Sequence, residues 1–162
     1  MKRPSLILAR NAFKNIYDDI GKSVSSVGTK IGGNVDYNIN MLTIEQGRFE
    51  NACAIRMSYV LNTIGVKVPY LKGKTISGGR GNWYLYRVSD LIDFLYDTFG
   101  EPDTVVPSPS ASKLENFRGI LVVEVQGWGD ASGHATIWNG INCSDECYFP
   151  LSHKAYLWAL KS

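Results

Sequence analysis

The chain holds three cysteines and two histidines, the side chains best suited to covalent or acid–base chemistry. Cys143 and Cys147 enclose Ser144-Asp145-Glu146, and Cys53 lies far upstream, so a local pair leaves one thiol over. A disulfide across so short a loop needs a turn that brings the two Cα atoms within about 7 Å, and an oxidising compartment to keep it. Spacing alone leaves that pairing open. Cys53 heads a stripe continued by Met57, Val60, Leu61 and Ile64, the spacing of one helix face, with Gly65 to stop it and Asn51 as an N-cap. A thiol in a first helical turn faces unpaired N–H groups and the positive end of the dipole, which favour thiolate and can lower a cysteine pKa to about 3.5–7.5. The same N–H groups can hold an oxyanion. The bland alternative is a small buried hydrophobe on an amphipathic helix.

A cysteine nucleophile needs a base. His134, in Ser132-Gly133-His134-Ala135-Thr136-Ile137-Trp138, stands at the start of a strand, where a ring can point into a cleft. His153, between Ser152 and Lys154, reads as a solvated loop residue. Asp145 could return beside His134 if the chain reverses through Asn139-Gly140-Ile141-Asn142; otherwise it is a turn aspartate satisfying its own backbone.

These residues require elements to hold them. Leu6, Ala9, Phe13, Ile16, Tyr17 and Ile20 predict a helix from Pro4 to Ile20, closed by Gly21. Residues 22–40 read as a long surface loop with at most a short strand, and the Gly-rich segment 73–84 as a flexible flap. That segment is no phosphate loop, because Gly73-Lys74-Thr75 lacks the upstream glycine. Val88, Leu91, Ile92, Leu95 and Phe99 predict a third helix, capped by Ser89 and ended by Gly100. Residues 101–112, with Pro102, Pro107 and Pro109, read as a connecting loop. Ile120–Val125, Ala135–Trp138 and Ala155–Leu160 are strand candidates. Helices first and neighbouring strands afterwards is an α+β order.

The chain has 162 residues, 44% apolar and 12% aromatic, which suits one domain over 1–162 and excludes disorder. Its net charge of +2 gives no strong drive toward nucleic acid or acidic membranes. No apolar run approaches the length of a membrane span, and Arg10 interrupts the opening segment before a signal-peptide core can form.

With Asn51-Ala52-Cys53-Ala54-Ile55-Arg56-Met57-Ser58, Gly133-His134-Ala135-Thr136-Ile137-Trp138 and Cys143-Ser144-Asp145-Glu146-Cys147 in order, nearly the whole chain resembles the type VI secretion amidase effectors of family four. The resemblance implies a papain-like fold, with helices packed on a central antiparallel sheet. The implied activity is hydrolysis of the peptidoglycan peptide stem between D-glutamate and meso-diaminopimelate. By position it makes Cys53 the nucleophile, His134 the base and then the acid, and Asp145 the residue fixing the imidazole, with Asn139 a fallback; Cys143 and Cys147 correspond to a local disulfide. It further implies no cofactor or metal, delivery by the secretion apparatus without a signal peptide into a neighbour's periplasm, and a cognate immunity protein.

On this reading the backbone N–H of Cys53 holds the oxyanion, and Arg56, Arg80 and Trp83 are substrate-binding candidates for a stem rich in carboxylates. Each has a plainer reading as a solvated arginine or a core aromatic, as has Tyr84. Two rivals stand beside it: a zinc-stabilised binding module using Cys143, Cys147, His153 and Asp145, and a Cys-His acyltransferase or general peptidase.

Overall fold

The computed structural model describes residues 2–125 and 133–162. It is an α+β arrangement in which a buried helix stands between other helices and a four-stranded antiparallel sheet. Helix α1 spans Leu6–Ile16 and buries Leu6, Ala9, Ala12, Phe13 and Ile16. Ser5 caps it, accepting from Leu8 N. The helix stops short of Ile20 because Tyr17 leaves helical geometry (φ −131°, ψ −76°), and a short 3₁₀ turn follows.

Most of residues 22–40 is helical, a correction to the loop expected there. Helix α2 (Val24–Ile31) is capped by Ser23 and buries Val27 and Ile31, and α3 (Gly33–Asp36) continues into a π-turn over Tyr37–Met41. The stripe is short and set among Ser and Gly residues, so its period is hard to see. Gly28 suits the helix because a Cβ there would stand 2.7 Å from Asn40 Nδ2.

Helix α4 (Cys53–Thr63) is buried on nearly every side, polar residues included. Ser58 donates to Ala54 O (2.8 Å) and accepts from Leu85 N (2.9 Å). Asn62 donates to Trp83 O and accepts from Val68 N. These bonds satisfy groups whose burial would otherwise cost about 1–3 kcal/mol each, and they tie the Gly-rich segment to the helix. That segment is a hairpin, β1 (Thr75–Ser77) against β2 (Trp83–Leu85), rather than a loose flap. Its turn lies against the start of α3 so closely that a Cβ on Gly33 would come within 2.6 Å of Gly78 C. Helix α5 (Val88–Phe99) follows; Ser89 lies inside it, and Arg87 is the capping residue with no side-chain cap bond.

The sheet runs β3-β6-β4-β5, with β3 at Thr104–Pro107, β4 at Gly119–Val125, β5 at Gly133–Trp138 and β6 at Ser152–Ala159. Strand β3 falls in the segment expected to be a loop; its proline is tolerated because β3 is an edge strand. His153 belongs to β6, exposed, with Nε2 3.1 Å from Glu124 Oε2. Ile120, Val122, Ala135, Ile137, Tyr156 and Trp158 join the helix-side core, and Leu121, Val123, Trp138 and Leu157 a second cluster on the opposite face. Ser132, just before the Gly133-His134 pair, falls among residues 126–132, outside the described residues. No helix among the described residues is long and apolar enough to cross a membrane.

Candidate active site

The start of α4 meets the start of β5. Cys53 is the first residue of the helix and 2% exposed, and its Sγ lies 3.7 Å from Gly133 O, which accepts the thiol proton. Gly133 has no room for a side chain: a Cβ there would stand 2.1 Å from Val123 O and 3.2 Å from Val88 Cγ1. The helix starts one residue later than an Asn51 cap implies, with Ala52 in the capping position. Asn51 still satisfies the terminus from one residue further out, its Oδ1 accepting from Cys53 N at 2.8 Å. The Cys53 N–H, expected to await an oxyanion, is therefore already engaged.

His134 is the second residue of β5, 6% exposed, and opposite Val123 of β4. The chain after β5 reverses through Asn139-Gly140-Ile141-Asn142. Asn139 Oδ1 accepts from Ile141 N and Asn142 N, Gly140 takes a positive φ of 96°, and Ser144 N returns to Ile137 O. Asn139 is thus a turn residue, its carbonyl fully used, and not the imidazole's partner. The reversal brings Asp145 Oδ2 to 2.8 Å from His134 Nε2, both side chains buried. The ring N–H is not aimed along that contact, and neither Nε2 nor Asp145 Oδ1 has an in-line hydrogen bond among the described residues. The attraction is that of a close ion pair. A disulfide joins Cys143 to Cys147, with Cα atoms 5.5 Å apart, and braces the loop that presents Asp145. Those sulfurs are not free to serve as thiolate ligands, which removes the zinc-module reading. Among the described residues no cluster of His, Cys, Asp and Glu is suited to a metal.

The electrostatics follow from this packing. Burial disfavours the charged imidazole, but Asp145 and the Cys53 side chain outweigh it and raise His134 from 6.5 to about 9. An imidazolium between a carboxylate and a sulfur is the state in which a cysteine is ready to attack. Tyr148 packs edge-on against the ring, centroids 4.8 Å apart. Nothing in Cys-Tyr-Phe-Pro marks it as a site residue.

Arg56, one turn along α4 from Cys53, is buried at 8% exposure rather than solvated. Its guanidinium sits 5.1 Å from the Tyr17 ring centroid, and Nη2 donates to Lys22 O, while Nε has no partner among the described residues. Burial lowers its pKa, against the opposing pull of Asp145 and Cys53. Arg56 lines a cavity of about 310 Å³ together with Lys22, Asn51, His134, Asp145 and Tyr148. A smaller cavity of about 40 Å³ is lined by Phe49, Asn51, Cys53, Tyr86 and Val88. Arg80 lies elsewhere, lining a cavity with Lys30, Tyr59 and Tyr84 that shares no residue with the two beside Cys53. Trp83 packs against Tyr70, and Tyr84 is buried in the core. Of the expected binding residues, only Arg56 is brought to the cysteine. Lys22 has no sequence signal, since the segment around it looked like a plain loop.

Known proteins resemble this chain in sequence and fold. Residues 49–158 match the family described as type VI secretion system (T6SS) amidase effector protein 4. The crystal structure of the effector Tae4 from Salmonella typhimurium, in complex with the immunity protein Tai4 from Enterobacter cloacae, is 41% identical, with a TM-score of 0.85 over 98% of this chain and 99% of that one. The Tae4–Tai4 complex from Enterobacter cloacae is 39% identical, with a TM-score of 0.85 over the same shares. The effector Tae4 from Enterobacter cloacae alone is also 39% identical, with a TM-score of 0.85 over 99% of this chain and 100% of that one. Among curated protein sequences, none matches. With its family match spanning well over half its length, and solved relatives superposing nearly end to end, the chain belongs to the type VI secretion system amidase effector protein 4 family.

Proposed function

We propose that this chain is a papain-like, cysteine-dependent peptidoglycan amidase that cuts the peptide stem between D-glutamate and meso-diaminopimelate. Delivered by type VI secretion, it acts in the periplasm of a neighbouring bacterium, and the producer is protected by a cognate immunity protein. The observation that carries the reading is the meeting of Cys53, at the head of α4, with a buried His134 backed by Asp145. Family membership supports amide hydrolysis, and the effector–immunity complexes of its relatives support the immunity partner.

In the proposed reaction the Cys53 thiolate adds to the γ-glutamyl carbonyl carbon, and the carbonyl electrons move onto oxygen. The tetrahedral intermediate collapses as His134 gives its proton to the departing diaminopimelate amine. Water, deprotonated by His134, then cleaves the thioester, releasing the acid product and restoring the Cys53 thiolate beside the imidazolium. Asp145 holds the imidazole in place and stabilises its charged form. Arg56 and Lys22, in the cavity beside the dyad, suit the free carboxylates of the stem. The test is product analysis: diaminopimelate-type muropeptides are incubated with wild type, Cys53→Ala and His134→Ala, and the products are resolved by mass spectrometry. New fragments ending at D-glutamate, made by the wild type and absent with both variants, support the proposal. Fragments cut at another bond, or persisting with Cys53→Ala, overturn it.

A further inference from the structure

We infer that Asn51 is a catalytic residue: its carboxamide occupies the oxyanion site of the resting enzyme and becomes an oxyanion donor once substrate displaces it. The inference rests on the cysteine mechanism proposed above. In acylation the Sγ–C bond forms, the carbonyl electrons collect on oxygen, and that oxygen needs N–H donors aimed at it. The nearest main-chain donor is the N–H of Cys53, at the head of α4, where no intrahelical acceptor exists. Asn51 Oδ1 fills that place at 2.8 Å. Two donors cannot share one hydrogen bond, so this contact fixes which end of the amide faces the N–H. Nδ2 is left without a hydrogen-bond partner among the described residues.

Asn51 also lines both cavities at the dyad, the smaller one at Cys53 and the larger one holding His134, Asp145 and Arg56. A carbonyl oxygen arriving at Cys53 must take the N–H from Oδ1. Rotation about the Asn51 side-chain bonds then turns the amide and offers Nδ2 to the same oxygen. The resting contact keeps a buried donor satisfied, and the displaced amide supplies the second donor when charge develops.

A plain capping role predicts something different. Asp and Ser accept from a helix N-terminal N–H about as well as Asn does, but an aspartate cannot donate, and a serine is too short to reach past the Cys53 N–H. Asn51→Asp and Asn51→Ser are therefore compared with wild type in two reactions, after melting curves confirm folding. Alkylation of Cys53 by iodoacetamide is a displacement at saturated carbon that builds no oxyanion, so it reads the nucleophile alone. Hydrolysis of the stem peptide and of a p-nitrophenyl ester both pass through one. We expect alkylation within about 3-fold of wild type and kcat for hydrolysis lowered about 10²–10³-fold in both variants. Parallel loss in alkylation and hydrolysis assigns Asn51 to capping and overturns the inference. So does unchanged hydrolysis, or a loss confined to the charged Asp variant. A wild type that hydrolyses the ester but not the stem refutes the substrate assignment alone, and the ester then decides the role of Asn51.

Discussion

Replacing Asp145 by asparagine leaves the shape of the site and removes one charge, and the structure gives the size of the effect. His134 stands at about 9 against an ordinary 6.5, which at about 1.4 kcal/mol per pH unit is about 3 kcal/mol in favour of imidazolium. Burial opposes that preference, so the carboxylate 2.8 Å away and the Cys53 sulfur supply it together. Without the carboxylate one of the two groups that favour imidazolium is gone while burial still opposes it, so the pKa of His134 in Asp145→Asn falls well below that of the wild type. Two measurements follow. The alkaline limb of kcat/KM, which reports the coupled Cys53–His134 pair, lies near pH 9 in the wild type and moves well below it in the variant. Stability follows linkage. A histidine raised in the folded state stabilises fully below its unfolded value of 6.5, and that contribution is lost as pH climbs through 9. Urea unfolding at pH 6 and pH 10 therefore shows a decline in the wild type that exceeds the variant's by up to about 3 kcal/mol. An Asp145→Asn enzyme with the wild-type pH–rate profile and the wild-type pH dependence of stability refutes the reasoning.

Other perturbations probe the surrounding frame. Gly133→Ala forces a Cβ against Val123 O and Val88; we expect a loss of about 2 kcal/mol or more in thermal or urea unfolding, together with slower alkylation of Cys53, and an unchanged melting curve contradicts the packing account. The double variant Cys143→Ser/Cys147→Ser frees the loop that carries Asp145. Chain-entropy arithmetic for so short a ring gives about 2 kcal/mol, so both the melting temperature and kcat should fall, and equal activity in the two forms removes the bracing role. Arg56→Met keeps the length of a buried side chain but not its charge; KM for a stem peptide should rise about 10-fold or more while iodoacetamide alkylation changes little, and an unchanged KM shows that Arg56 does not meet the carboxylates.

What the sequence reveals is set by how locally each feature is encoded. Helices α4 and α5 announce themselves because Met57, Val60 and Leu61, or Leu91 and Leu95, recur at the helical period and glycines close both segments. The β-branched run in β4 is equally plain. Helix α2 escapes notice because its stripe is brief and its Gly28 is explained only by contact with Asn40, a tertiary fact. The hairpin β1–β2 escapes for a related reason: Ser58 and Asn62, polar residues on a helix, hold its second strand through bonds no local pattern encodes. At the site, the cysteine at a helix start and the turn at Asn139-Gly140 are local signals, and they lead to Cys53 and to Asp145 returning beside His134. Arg56 joins the site because α4 is buried on nearly every side, whereas Arg80 and Trp83, equally plausible by residue type, lie elsewhere. Residue type alone does not say which side of a fold a side chain will occupy.

The central claim is that the sulfur of Cys53 becomes bonded to the substrate during turnover. Rapid acid quench of the wild type with a stem-peptide substrate, followed by intact-mass and peptide mapping, tests it most directly. The account predicts a transient thioester on Cys53 whose added mass is the part of the stem up to and including D-glutamate. Efficient turnover with no adduct on Cys53, or with the adduct on another residue, contradicts it.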